Sequence, residues 1–232
     1  MSAFPAPFDA VVVGASGGLG AALVERLEAD PRVGRVHGFS RSGGAPLDLT
    51  DETSIAAAAA TVKAPRLVIV ATGLLHGPGV APEKRIAAVD AQGLARSFQV
   101  NAIGPALVMK HFGQRLPRDG KAVLAVISAR VGSIADNRQG GWYGYRASKA
   151  ALNQLMRTAA VELAMHRKDA ICVALHPGTV DTPLSKPFQK GVPAGALFAP
   201  AYAAAQLLAV IDRLSPHDTG RFLAWDGRNI PF

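Results

Sequence analysis

The feature that most constrains the fold is a glycine-rich turn near the start of the chain. Ala10-Val11-Val12-Val13 is a short apolar run, the pattern of a buried strand. It feeds into Gly14-Ala15-Ser16-Gly17-Gly18-Leu19-Gly20, and a helix-forming segment, Ala21 to Ala29, follows. Strand, glycine turn and helix in that order hold a pyrophosphate at a helix N-terminus. The spacing is Gly-x-x-x-Gly-x-Gly, not the more familiar Gly-x-Gly-x-x-Gly. Glycines at 14, 18 and 20 allow the turn, backbone approach to phosphate and close helix–strand packing. A plain βα loop also favours glycine; the flanking strand and helix together favour the nucleotide reading.

The alternation continues along the chain. Arg35 to Ser40 reads as a second strand, and Leu47-Asp48-Leu49-Thr50 as a short third one running into a helix capped near Thr50 or Asp51. Arg66 to Ala71, Lys121 to Ser128, Ala170 to Leu175 and Arg221 to Ala224 complete the set. Long helices are expected from about Ala91 to Gln114, after Tyr145, and from Ala199 to Leu214. This is a doubly wound α/β pattern with a parallel sheet and helices on both faces. The chain has 232 residues and 49% hydrophobic content, which suits one domain spanning 1–232, with no linker or repeat. The stretch from Gly178 to Pro200 is rich in Pro, Gly and Lys and reads as a mobile lid at about 178–200. The tail keeps Trp225, Ile230 and Phe232, so it is expected to pack against the body.

An NAD site usually has an acidic residue after the second strand, for the ribose hydroxyls. No Asp or Glu stands between Asp30 and Asp48; Ser40-Arg41-Ser42 is there instead. Arginine matches a 2′-phosphate, so this end reads as NADP(H) in preference to NAD(H). Taken alone, Arg41 would be a solvated loop residue. Asp48 either faces the adenine or is a turn carboxylate. Thr72-Gly73, after the fourth strand, falls at the carboxyl edge beside the cofactor.

Tyr145 and Lys149 are spaced by four on a helical stretch, which puts phenol and ammonium on one face. Bringing a phenol from about 10 to about 7 needs roughly 4 kcal/mol. A lysine charge about 5 Å away supplies roughly 3 kcal/mol at an effective dielectric near 20. An oxidised nicotinamide would supply a second positive charge. Tyr-x-x-x-Lys is common by chance, so the pair means little without its context. Ser128 closes the fifth strand and points into a ligand crevice, or caps the strand end. Tyr143 lies six residues from Lys149 and misses its face. His76 reads as an isolated loop residue and His176, beside a Pro-Gly turn, as structural. Pro105 lacks an N–H, so the carbonyl four residues earlier, on Asn101, loses its partner and the helix is expected to kink there around a water.

Composition narrows the classes. The net charge is +8, from 25 basic and 17 acidic residues, but the basic residues are dispersed, which argues against nucleic acid and fits mild attraction for an anionic ligand. The single Cys172, in an apolar run, excludes an intrachain disulfide and a cysteine metal cluster; no metal is expected. No uncharged run is long enough for a membrane span. Met1 to Phe8 lacks a basic start followed by a long apolar run, so no signal peptide and a cytoplasmic location are expected.

Gly14-x3-Gly18-x-Gly20, Asp48, Asn101, Ser128, Tyr145-x3-Lys149 and Pro177-Gly178, in that order, resemble the short-chain dehydrogenase/reductase family over essentially the whole chain. Each motif is weak alone; the ordered set is specific. The resemblance implies a seven-stranded parallel sheet, Tyr145 as catalytic acid/base, and Lys149 as its pKa-lowering neighbour and ribose anchor. It implies that Ser128 binds the substrate oxygen and that Asn101 holds a proton-relay water. It implies a cofactor cradle of Gly14, Ser16, Gly18, Leu19, Gly20, Ser40, Arg41, Asp48, Leu49, Ala71, Thr72, Gly73, Tyr145, Lys149, Pro177, Gly178, Val180 and Thr182. The substrate class is a small-molecule carbonyl or alcohol. The family pairs its Asn101 and Tyr145 helices across a two-fold axis, giving homodimers or homotetramers. Val13 stands where the family usually has Thr, and Val70-Ala71-Thr72-Gly73 where it usually has Asn-Asn-Ala-Gly, losing amides that brace the central strands. Ser128 to Ile134, His176 to Thr182 and Trp225 to Pro231 look like the C-factor subgroup, some members of which are linked to bacterial cell–cell signalling. A dinucleotide-binding signalling or regulatory protein with incidental turnover is therefore the alternative to an enzyme.

Overall fold

In the computed structural model, which describes residues 3–232, the apolar runs become strands and the stretches between them helices. Met1 and Ser2, part of the segment read for a signal peptide, lie outside the described residues. The strands are β1 (Phe8–Val13), β2 (Val33–Phe39), β3 (Leu67–Val70), β4 (Ala122–Ile127), β5 (Ala170–His176), β6 (Thr179–Val180), β7 (Leu197–Phe198) and β8 (Phe222–Ala224). The helices are α1 (Gly18–Glu28), α2 (Glu52–Ala60), α3 (Ala91–Phe98), α4 (Gly104–Gly113), α5 (Tyr143–His166) and α6 (Pro200–Arg213). Six strands form one parallel sheet in the order β2-β1-β3-β4-β5-β8, and β6 pairs with β7 separately. Among the described residues no helix is long and apolar enough to cross a membrane.

Strand residues alternate between two cores. Val11, Val13, Val68, Val70, Leu124 and Val126 meet α2, α4 and α5 on one face. Ala10, Val12, Leu67, Ile69, Val123 and Ala125 meet α1 and α6 on the other. Burial on both faces is why these strands carry unbroken apolar runs. β1 has β2 on one side and β3 on the other, so the winding reverses there and opens a crevice at the carboxyl ends of the strands.

The sheet has six strands, not seven, because residues 47–50 form no strand. The Asp48 carboxylate accepts from the Thr50 N–H and hydroxyl, both at 2.8 Å, and this local turn competes with strand pairing. Pro46, which has no N–H, makes only an isolated bridge to Ser40. Asp51 caps α2 by accepting from the Thr53 N–H at 2.9 Å. The expected long helix from Ala91 to Gln114 is interrupted by a wide π turn, Gln99–Ile103, in which the Gly104 N–H reaches Gln99 O. Pro105 follows directly at the start of α4, and the carbonyl four residues before it, on Asn101, lies inside this π turn. The segment 178–200 holds the β6–β7 pair and a 3₁₀ turn at Lys186–Phe188, elements the Pro- and Gly-rich sequence did not announce. In the tail, the Ile230 N–H bonds Phe222 O at 2.8 Å and Trp225 packs on Phe198, ring centres 4.7 Å apart.

Candidate functional site

The glycine turn leads directly from β1 into α1. Gly14 has φ +94°, a conformation that disfavours a side chain, and a Cβ on Gly20 would overlap the Gly14 carbonyl oxygen. Glycine at 20 therefore lets α1 seat directly on the turn. The first turn of α1 contains no acidic residue and Gly17 offers no side-chain cap, while Gly17, Gly18 and Leu19 line the crevice.

Two connected hollows lie along the carboxyl edge. The smaller, about 240 Å³, is lined by Gly14, Ser16, Ser40, Arg41, Asp48, Leu49, Ala71, Thr72, Gly73 and, unforeseen in the sequence, Arg96 of α3. Asp48 makes the turn with Thr50 and also lines the hollow: hydrogen bonds from Thr50 hold it below the usual carboxylate range, with Arg41 and Arg96 as lesser causes. The larger, about 570 Å³, is lined by Ser16, Gly18, Leu19, Ala71, Thr72, Gly73, Ser128, Tyr145, Lys149, Pro177, Gly178, Val180 and Thr182 among others. Of the cradle residues expected from the sequence, only Gly20 is off both walls, packed beneath Gly14.

The residues also fit a dinucleotide chemically. Thr72 lies on the wall common to both hollows, and its Oγ1 is buried and without a hydrogen-bond partner. Leaving such a group unpaired costs about 1–3 kcal/mol, which a polar ligand atom would recover. His176 Nδ1, at the end of β5, is likewise buried and unpaired, and burial pushes that imidazole down to about 4.

α5 carries the candidate catalytic side chains. Its buried stripe is Tyr145, Ser148, Lys149, Leu152, Asn153, Met156 and Ala160, the i, i+3, i+4 pattern of one helix face. Lys149 Nζ lies 5.9 Å from the centre of the Tyr145 ring and donates to Ile127 O at 2.9 Å, at the end of β4. Burial pushes the Tyr145 phenol up to about 12 and the Lys149 ammonium down to about 8. In the buried stripe, loss of hydration opposes the lysine charge that would draw the phenol down.

Ser128 is buried just after β4, and its hydroxyl donates to Asn153 Oδ1 at 2.7 Å. Asn153 Nδ2 donates to Gly132 O at 3.4 Å, which fixes the orientation of the amide. The sequence reading missed Asn153. The signal was present, since residues 145, 149 and 153 fall on one face and an asparagine on an apolar stripe needs a partner.

Asn101 is fully buried in the π turn, behind the wall of the larger hollow. Its amide oxygen accepts from the Leu74 N–H at 2.7 Å, and its Nδ2 donates to Leu74 O at 2.8 Å and Ser148 Oγ at 3.1 Å. A Cβ placed on Gly73 would lie 3.9 Å from both Asn101 Oδ1 and Lys149 Nζ, so the two residues flank the same turn. His76 is not isolated: its Nε2 lies 3.2 Å from Pro183 O and its ring 5.6 Å from that of Phe188, so it joins the loop after β3 to the segment 178–200. Glu83 was also unforeseen. Its carboxylate accepts from the Gly144 N–H at 3.2 and 3.1 Å, capping α5 where Trp142 offers no side-chain acceptor.

Comparison with known proteins agrees with this geometry. Residues 18–224 match the family described as enoyl-(acyl carrier protein) reductase. The chain is 37% identical over 144 residues to the C-signal of Myxococcus xanthus, covering 62% of this chain and 81% of that protein. It is 33% identical over 182 residues to 1-hydroxy-2-glutathionyl-2-methyl-3-butene dehydrogenase of a Rhodococcus species, covering 78% of this chain and 76% of the relative. The NADPH-bound carbonyl reductase from chicken fatty liver superposes with a TM-score of 0.85 at 26% identity, over 100% of this chain and 96% of that one. With the glycine turn, the Tyr145–Lys149 stripe and the parallel sheet in place, the chain belongs to the short-chain dehydrogenase/reductase family of NAD(P)-dependent oxidoreductases.

Proposed function

We propose that this protein reduces a small-molecule carbonyl compound, or oxidises the corresponding alcohol, using NADP(H). The observation that carries the reading is that α5 brings Tyr145 and Lys149 to Ser128 on the wall shared with the glycine turn. A bound NADPH supplies the hydride. Tyr145 gives its proton to the substrate oxygen as charge develops there. Ser128 turns its hydroxyl from Asn153 toward that oxygen and stabilises the charge. Lys149 holds the ribose hydroxyls, and its ammonium eases re-protonation of Tyr145 through water at the Asn101 carbonyl. Arg41, at the mouth of the smaller hollow, pairs with the 2′-phosphate. The residues from Gly178 to Pro200 close over the larger hollow as a lid.

The NADPH carried by the chicken carbonyl reductase supports the choice of cofactor and of carbonyl chemistry. Incubation with NADPH and a panel of ketones and aldehydes, read at 340 nm as is usual for this cofactor, tests the proposal. Turnover of at least one carbonyl is expected. The similarity to the C-signal supports a second reading, a dinucleotide-binding signalling protein, and tight NADPH binding without turnover on any substrate would favour it. A homodimer or homotetramer is the expected assembly, because the outer face of α5 exposes Leu155, Val161 and Met165. A monomer in sedimentation at micromolar concentration would contradict it.

A further inference from the structure

The substrate end of the larger hollow is bounded by a run of aromatic rings. Trp142 stands three residues before Tyr145, and their ring centres are 6.3 Å apart at 71°. The indole also meets Phe188, edge to face, at 5.0 Å and 62°. Phe188 in turn meets the ring of His76 at 5.6 Å and 63°. Val131, Leu184 and Val192 also line the hollow. The guanidinium of Arg130, which also lines the hollow, is engaged by Asp136.

Trp142 breaks two local rules at once. It occupies the left-handed region, with φ 54° and ψ 45°, which bulky residues rarely adopt. It also sits at the N-cap of α5 and cannot cap it, where Asn, Asp, Ser or Gly would serve better. Gly140 and Gly141, both at φ 64°, lead the chain into this conformation. Glu83 then holds it from outside, its carbonyl taking the Trp142 N–H and its carboxylate the Gly144 N–H. Strained residues that their surroundings over-determine cluster at ligand clamps. The strain here aims an indole at the side of the reacting centre.

We propose that Trp142 and Phe188 are specificity-determining residues, and that the substrates are carbonyl compounds carrying a planar aromatic ring, which lodges against these two side chains. This rests on the carbonyl-reductase reading above. The carbonyl π bond opens, its carbon takes the hydride with both electrons, its oxygen takes the Tyr145 proton, and NADPH leaves as NADP⁺.

The test compares 4-phenylbutan-2-one with 4-cyclohexylbutan-2-one, whose carbonyl groups are alike and whose rings differ in planarity. kcat/KM is measured with NADPH for the unmodified protein, Trp142→Leu and Phe188→Leu. The expected preference of the unmodified protein for the phenyl compound is roughly five- to tenfold, and both variants should bring it close to one. The Phe188 variant lies outside α5, so it answers the question even where the Trp142 variant folds poorly. Equal kcat/KM for the two ketones, or a preference that survives in both variants, overturns the inference. Turnover of small aliphatic carbonyls with none of either ring compound also overturns it, while leaving carbonyl reduction intact. NADPH binding with no turnover of any carbonyl overturns both.

Discussion

α5 and the segment 178–200 face each other across the larger hollow and are built by opposite means. α5 runs for 24 residues and fixes its polar groups by burial: Ser148 Oγ donates to Tyr145 O at 2.9 Å, Lys149 to Ile127 O, and Asn153 answers Ser128. The opposing segment contains two two-residue strands and one 3₁₀ turn, and Phe188 meets Trp142, the N-cap of α5, edge to face. Buried hydrogen-bonded groups tolerate little displacement, whereas exposed aromatic edges can be exchanged at small cost. On the proposed function, proton transfer belongs to the first wall and substrate choice to the region where the two meet.

The largest effect that would break this contrast concerns Lys149. Its ammonium is held down to about 8 from 10.5 by burial, so between those values the unfolded chain binds the extra proton and stability rises with pH. Below pH 8 the folded state carries the whole cost, roughly 3 kcal/mol. Lys149→Met should therefore lose at least about a hundredfold in turnover yet gain about 2 kcal/mol of stability at pH 7, after about 1 kcal/mol for the lost Ile127 bond, with the gain fading toward pH 10.5. Urea unfolding at pH 7 and pH 10 reads it. A variant that is less stable at pH 7 would contradict the burial account.

Arg41→Asp tests the other end of the crevice. Loss of a charge-assisted contact with the 2′-phosphate should lower NADPH affinity by roughly 10- to 150-fold and spare NADH, measured by fluorescence titration. Equal affinity of the unmodified protein for the two cofactors would remove the role of Arg41. Asn153→Ala should lower kcat about tenfold by freeing the Ser128 rotamer, and the Ser128→Ala/Asn153→Ala double variant should be no slower than Ser128→Ala alone. Additive losses would mean that Asn153 acts by another route. The smallest effect belongs to Glu83→Ala, which removes the cap of α5: about 1 kcal/mol of stability in urea unfolding, with the phenyl preference reduced as Trp142 loosens. Unchanged stability and preference would show that the backbone carbonyl at position 83 holds Trp142 without the carboxylate.

What was legible in the sequence follows from the same contrast. Strands buried on both faces, such as Ala122–Ile127, are unbroken apolar runs, and Tyr145 and Lys149 announce themselves through helical spacing. Residues 47–50 misled because an alternating apolar pattern lost to the turn made by Asp48 and Thr50. The interruption at 99–103 was half visible: Pro105 marked a break, but the extra residue of the π turn leaves no trace in composition. Glu83, Arg96 and Phe188 reach the site from loops or from the outer part of a helix, through contacts distant in sequence, so no local pattern marks them. The upward shift of Tyr145 was out of reach because it depends on how completely the fold buries the phenol.

The central claim is that Tyr145 gives the proton when hydride reaches a carbonyl carbon. Single-turnover oxidation of bound NADPH, mixed with a carbonyl substrate of the unmodified protein and followed in Tyr145→Phe, tests it most directly. Tyr145→Phe should bind NADPH within a few-fold of the unmodified protein and consume it at least about a hundredfold more slowly. A Tyr145→Phe protein that binds NADPH and oxidises it at the unmodified rate would contradict the assignment.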